Sequence, residues 1–344
     1  SVSDNVPTSP PGAPGSRAEA AGDGTLPAFK APREPLAPGD RCPNFLLPDA
    51  TGAFRAFYER VRGRAAVMLF LPAGMAPAIL DGFAPRAAEF ASAGYDLFAV
   101  LAGDVAFVQR EGARTGAGNA DGPIALLADP KGAVTRGYAA GARLNPEFPC
   151  CFLLDGNQRL LARCNGEEEK GAALADWALR SLAELAPAIE PETRRQLAPV
   201  MMLPNVLDEA MCRALIERWE AGGAQEGTVT SVVDGNEVER VHDHIKRRRD
   251  LPLHETPVLK ALSATIGRRI APELVKAFHF DAFRFDRFNI TCYDSARGDY
   301  FRAHRDNESA STSDRRFAIS LNLNDDFEGG ELLFPEYGPH RHAL

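Results

Sequence analysis

The sequence predicts two globular units in series, an α/β domain and then an α+β domain rich in strands. Three observations predict it. Between about Leu36 and Pro187, short apolar runs alternate with stretches of helical periodicity, as expected for a buried sheet covered by helices. The Pro-rich segment Ala186-Pro187-Ala188-Ile189-Glu190-Pro191-Glu192 interrupts that alternation and reads as a linker. Beyond Phe285, strand-like runs separated by Gly and Asp turns take over.

Residues 1–35 begin with a stretch rich in Pro, Gly, Ala and Ser that lacks the apolar centre of a signal peptide. They are expected to be a disordered tail. In residues 36–187, Ala65–Leu71, Tyr95–Leu101 and Ile124–Asp129 are expected strands. Helices are expected over Pro77–Ala93 and Val105–Ala113. Pro149–Leu161 reads as a hairpin turned at Asp155-Gly156, and Gly171–Leu185 as a closing amphipathic helix. After a linker over 188–199, the second domain spans 200–344. Val200–Leu207 reads as a strand and turn. Asp208 is placed to cap a helix over Glu209–Ala221, with Met211, Leu215 and Trp219 recurring every four residues. A second helix is expected from Pro257 to Ile270, ended or kinked by Pro272. Phe285–Tyr293, Tyr300–His304, Arg316–Asn324 and the run ending Leu332-Leu333-Phe334-Pro335 are expected strands.

The strongest chemical signal is His304-Arg305-Asp306. On a strand, residues i and i+2 share a face about 7 Å apart. An imidazole and a carboxylate so placed can supply two donors of a 2-His-1-carboxylate metal face. His242-Asp243-His244 has the same spacing but precedes these strands, which disfavours a ligand role, and His340 and His342 follow a turn and read as exposed loop histidines. The run Lys246-Arg247-Arg248-Arg249 reads either as a solvated loop or as a loop facing an acidic substrate group.

Tyr293, the turn at Gly298, His304 and Asp306, the strand carrying Leu321-Asn322, and Gly329-Gly330-Glu331 follow one another in an order that resembles the prolyl-hydroxylase-like branch of the Fe(II)/2-oxoglutarate dioxygenases. The resemblance runs from about Val200 to Leu344. It implies a double-stranded β-helix (jelly-roll) domain that binds Fe(II) through His304 and Asp306. It also implies 2-oxoglutarate beside Tyr293 and an inward-facing Asn322, with ascorbate as an admitted further cofactor. Decarboxylation of 2-oxoglutarate would be coupled to hydroxylation, by O2, of a small-molecule or peptide substrate. No catalytic residue beyond the metal ligands is implied. The pattern also requires a second His, followed by a Lys or Arg, several dozen residues on. The chain stops at Leu344 before such a pair, so this domain is expected to be incomplete at its C-terminus.

The first domain is similar to the peroxiredoxin branch of the thioredoxin fold. Pro38-Gly39-Asp40-Arg41-Cys42-Pro43, the strand ending Phe70-Leu71-Pro72-Ala73, and Pro149 at the place of a cis-proline carry the similarity. The peroxidatic Thr-Pro-x-Cys segment is replaced by Ala76-Pro77-Ala78-Ile79. Ile79 has no ionisable group to attack a peroxide, so the domain is expected to be a scaffold, dimerisation or partner-binding module.

Of the 344 residues, 45% are hydrophobic and 25% charged, with a net charge of −8. That balance is ordinary for a globular protein and argues against nucleic acid or an acidic membrane as a partner. No apolar run reaches the roughly 20 residues of a membrane span; the cytoplasm is the default location and a homodimer is left open. The six cysteines form no C-x-x-C motif and read as free thiols, with Cys150 and Cys151 on opposite strand faces. Two alternatives remain: a binding or regulatory protein with both domains silent, and a thiol redox protein using Cys150 or Cys151.

Overall fold

A computed structural model describes residues 29–31, 35–61, 63–117, 122–166, 170–281 and 284–343. The expected disordered tail therefore lies mostly outside the described residues. Phe29 corrects its boundary, because its ring stacks on Tyr138 with centroids 5.8 Å apart and it packs against the core.

A small antiparallel pair, β1 (Leu46–Pro48) and β2 (Phe54–Ala56), leads into a single helical turn, α1 (Phe57–Arg60). The elements that follow are β3 (Ala66–Leu71), α2 (Ala76–Phe83), α3 (Ala87–Ser92), β4 (Asp96–Leu101), α4 (Val105–Thr115), β5 (Ala125–Ala128), α5 (Ala133–Ala142), β6 (Cys150–Leu154), β7 (Leu160–Asn165) and α6 (Gly171–Leu185). The sheet order is β5-β4-β3-β6-β7, with β3, β4 and β5 parallel and β6 and β7 antiparallel. Three parallel strands closed by an antiparallel hairpin, with helices on both faces, make this the thioredoxin-like domain that the sequence predicts.

All six residues of β3 are buried, and its alternation builds two cores. Val67, Leu69 and Leu71 face α2, α3, α4 and α6, whereas Ala66, Met68 and Phe70 face α1 and α5. The helix expected over Pro77–Ala93 breaks at a 3-10 turn over Ala84–Arg86. Pro85 lacks the N–H to continue α2 and crowds the preceding turn. Helix α5 was not expected from the sequence. Pro149 precedes the hairpin as expected, but no peptide bond among the described residues is cis.

The C-terminal region continues with α7 (Glu209–Glu220), β8 (Gln225–Glu226), β9 (Val229–Val233), β10 (Asn236–Arg240), β11 (Lys246–Arg247), β12 (Arg249–Pro252), α8 (Thr256–Arg269), α9 (Ala271–Phe278), β13 (Asn289–Cys292), β14 (Tyr300–Phe301), β15 (Leu332–Leu333) and β16 (Arg341–His342). Asp208 caps α7 by accepting from the Met211 N–H at 2.8 Å. Helix α8 ends at Arg269 and Pro272 lies in the first turn of α9, so the helix breaks at the expected proline, which has no N–H to donate. The strands pair as β13-β12-β8, β9-β10, β11-β14 and β15-β16. The region is β-rich, but these small sheets do not assemble the two facing sheets of the expected jelly roll. Residues 200–207 and 316–324 join no ladder. Its cores are correspondingly small. One gathers Leu215, Leu251, Leu262 and Ile290; the other gathers Val206, Ile266, Ile270 and Leu274.

Buried charges join the two regions. Asp40 Oδ1 accepts from Arg268 Nε and Arg269 Nε, each at 2.8 Å. Arg159 donates to the carbonyls of Gly39 and Arg269 and pairs with Glu273 at 3.1 Å. Asp40, Arg159, Arg269 and Glu273 are all at most 5% exposed. Among the described residues, no helix is long and apolar enough to cross a membrane.

Candidate metal centre

Short ladders position His304 and Asp306. Lys246 pairs with Phe301 and Arg247 with Tyr300, and the Arg302 N–H donates to the Ile245 carbonyl at 2.9 Å. The strand then ends. His304 and Asp306 lie in the loop beyond β14, not on the continuous strand expected over Tyr300–His304. The Phe301 ring stacks on the imidazole, centroids 3.7 Å apart at 19°. This contact and one hydrogen bond orient the ring: Nδ1 is 2.7 Å from the Arg302 carbonyl oxygen. A carbonyl only accepts, so Nδ1 carries the hydrogen.

Nε2 then faces Asp306 Oδ1 at 3.1 Å. In a neutral imidazole, two lone pairs would oppose each other there, so the contact calls for a proton or a cation between them. The hydrogen bond that protonated Nε2 donates to Asp306 raises the pKa of His304 despite opposing desolvation. The same bond holds the Asp306 carboxyl below its ordinary value. A metal ion could replace the shared proton. A ligating His commonly donates its other ring N–H to a backbone carbonyl, as His304 does. The pair therefore fits two donor places of a 2-His-1-carboxylate face. Among the described residues, no third His, Cys, Asp or Glu joins them.

Tyr293 lies beside Arg248. The β12–β13 register pairs Arg249 with Cys292, which places Arg248 opposite Tyr293 one step on. Arg248 donates to the Tyr293 hydroxyl at 2.8 Å, and its guanidinium lies 5.5 Å from the Tyr293 ring centre and 5.2 Å from that of Phe301. Accepting from Arg248 leaves the tyrosine its own proton to donate. Arg248 is also close enough to His304 for its charge to oppose protonation of the imidazole.

Asn322 is a correction. It is exposed, while its neighbours Leu321 and Leu323 turn to the two small cores. The alternation is real, but the asparagine takes the outer side. The basic run is corrected as well: it is neither a solvated loop nor a free patch. Lys246 and Arg248 pair with Asp250 at 2.7 Å each, and Arg249 pairs with Asp294 and covers the Trp219 ring. His242 and His244 contact each other edge to face, and His242 meets the Ser231 hydroxyl. His342, on β16, packs on Phe334. None of these histidines joins His304 in a group of three metal donors. Sequence reasoning passed over Arg248 as a partner of Tyr293. The only signal was the pairing of two segments about 45 residues apart, which single-segment periodicity does not encode.

In the N-terminal domain, Ile79 and Ala76 are fully buried in the core beneath α6. Backbone touches backbone there. A Cβ on Gly171 would lie 2.6 Å from the Ala78 carbonyl oxygen, and one on Gly82 would lie 2.1 Å from the Gly171 carbonyl carbon. Cys150 and Cys151 are buried. Burial pushes the Cys150 thiol up to about 11 and raises Cys151 strongly, so neither is a ready nucleophile by itself.

No family model matches the chain, and no curated protein matches it. Solved structures do resemble the N-terminal part. A candidate thiol:disulfide interchange protein DsbE from Chlorobium tepidum is 22% identical, with a TM-score of 0.34 over 43% of this chain and 99% of that one. The peroxidoxin BcpB from Mycobacterium tuberculosis is 21% identical, with a TM-score of 0.34 over 43% of this chain and 98% of that one. Peroxiredoxin Q from Xanthomonas campestris is 19% identical, with a TM-score of 0.33 over 41% of this chain and 90% of that one.

Proposed function

We propose that the C-terminal region is an Fe(II)- and 2-oxoglutarate-dependent dioxygenase domain acting on a small-molecule or peptide substrate, carried by a thioredoxin-like domain that serves as scaffold. The observation that carries this reading is the approach of His304 Nε2 to Asp306 Oδ1 with Nδ1–H already held by a carbonyl. His304 and Asp306 would hold the metal, and the other donors to it are not assigned. Tyr293 and Arg248 would bind and orient a carboxylate of 2-oxoglutarate by hydrogen bond and charge. When bound, the iron supplies the redox chemistry that couples 2-oxoglutarate and O2 to C–H hydroxylation. The stacked Phe301 keeps the imidazole in one orientation.

Anaerobic titration with excess Fe(II) and 2-oxoglutarate tests this. The expected result is a metal-to-ligand charge-transfer band that disappears in both His304→Ala and Asp306→Ala. Binding should be weak, since two protein donors converge. A band unchanged in both variants would overturn the assignment.

The second reading, a catalytically silent binding or regulatory protein, is supported by the place of Ile79 in the core and by the meeting of two donors where the family uses three. Succinate formation from 2-oxoglutarate that tracks His304 and Asp306 would exclude it.

A further inference from the structure

We infer that Cys151 and Cys164 are a redox-active dithiol that closes to a cross-strand disulfide by exchange with a small-molecule disulfide of the glutathione class. The inference rests on the N-terminal sheet and is independent of the metal reading.

Strand register brings the two thiols together. On the β6–β7 hairpin, Cys151 is directly opposite Cys164 and Cys150 is opposite Asn165. The Gly166 N–H donates to the Pro149 carbonyl at 2.7 Å, which marks that pair as a hydrogen-bonded one. Bonded and non-bonded pairs alternate along an antiparallel ladder, so Cys151 and Cys164, two steps on, are again a bonded pair. Their Cα atoms are then about 5.5 Å apart, inside the roughly 4.4–6.8 Å that a disulfide spans. Both side chains are on the face packed by α2 and α6: Cys151 belongs to that core, and Cys164 packs against it. Cys150 faces the opposite core and meets Asn165 Nδ2 at 3.3 Å. It is therefore the wrong partner for its sequence neighbour.

The two thiols differ in access and in acidity. Cys151 is fully buried, whereas Cys164 is only partly buried on β7, the edge strand of the sheet. Interaction with the Cys151 thiol lowers the pKa of Cys164, while burial above all raises that of Cys151. Cys164 is thus the entering thiolate. It attacks one sulfur of the small disulfide RSSR, forming Cys164–S–S–R and releasing RS⁻, which takes a proton. Cys151 then gives up its proton and attacks the Cys164 sulfur, expelling the second thiol as RSH. Two protein thiols are oxidised and one small disulfide is reduced; two equivalents of RSH reverse the sequence. Cβ atoms of such strand pairs are about 4.5–5.5 Å apart, against roughly 3.5–4.5 Å in a relaxed disulfide. Closure must draw the edge strand inward, which makes the bridge a readily reduced one.

The full chain is incubated with oxidised and reduced glutathione in varied ratio, quenched in acid, alkylated and mapped by mass spectrometry. The expected result is one linkage, Cys151–Cys164, with two thiols lost per chain and restored by added reductant. Cys151→Ala should stop at a glutathione adduct on Cys164, and Cys164→Ser should not react. The proposal is overturned if the native chain keeps both thiols alkylatable in pure oxidised glutathione, or accumulates the adduct on Cys164 without closure. The native chain alone decides this should either variant fail to fold.

Discussion

Ile79 shows how one side chain can settle the chemistry of a helix. It occupies the thiol position of the peroxiredoxin-like pattern, and its side chain fills the core under α6 instead of lining a cleft. Native protein should therefore consume peroxide no faster than bystander thiols do under any thiol reductant. Ile79→Cys should not restore turnover, because a thiol buried there would be held protonated. Stopped-flow peroxide consumption checks both. Rapid, saturable consumption that vanishes in a single Cys→Ser variant of the native chain would refute the scaffold reading of this domain. At this scale the sequence is partly legible. H-x-D names His304 and Asp306 because both residues are local to one loop. Arg248 beside Tyr293, and Cys164 beside Cys151, depend on which strands pair. Asn322 was misread because alternation tells which residues share a side but not which side is inward.

Helix α2 meets α6 with no room for a side chain between them, and two glycines make that crossing. A Cβ at Gly82 would collide with the Gly171 backbone, which cannot swing aside as a flexible side chain can. Gly82→Ala should thus destabilise the chain by about 1–3 kcal/mol or more, the usual cost of overpacking. Gly267, inside α8, is the opposite case: a Cβ there meets nothing within 4 Å. Gly267→Ala should stabilise by about 0.5–1 kcal/mol, since alanine loses less backbone freedom in a helix. Urea midpoints of the two variants should move in opposite directions; a shift of the same sign would mean that packing at the α2–α6 crossing is not what glycine serves. The strands β3, β4 and β5 were readable because burial on both faces leaves continuous apolar runs. Helix α5 was not, since Ala133–Ala142 is rich in Ala and Gly and its start depends on buried Asp129 accepting from the Thr135 N–H and hydroxyl. Residues 316–324 carry a strand-like alternation, with Leu321 and Leu323 inward, yet join no ladder. Alternation reports burial, and a strand also needs a partner.

Across the whole molecule, the Pro38-Gly39-Asp40 segment that marks the peroxiredoxin-like pattern docks the C-terminal region. Asp40 is held by Arg268 and Arg269 of α8, and Arg269 also donates to the Val206 carbonyl at 2.7 Å. Removing one partner of a buried pair strands the other charge, at a cost of about 3–5 kcal/mol. Asp40→Ala and Arg269→Ala should each lower stability by an amount of that order. They should also split one urea transition into two, because the junction no longer couples the domains. Acid should mimic part of this. Burial raises the Asp40 pKa, but the hydrogen bonds from Arg269, the Ala37 N–H and Arg268 outweigh it, so the net value is lowered. A lowered native pKa stabilises fully above the unfolded value, about 3.9, and the contribution is lost as pH falls through the native value. Native protein should therefore exceed Asp40→Asn in stability by a constant margin at neutral pH. That margin should narrow below about pH 4, where the unfolded carboxyl begins to take up its proton. Urea midpoints measured down the acid range decide it: a margin that does not change with pH would mean that the Asp40 side chain holds the domains by shape and not by its charge.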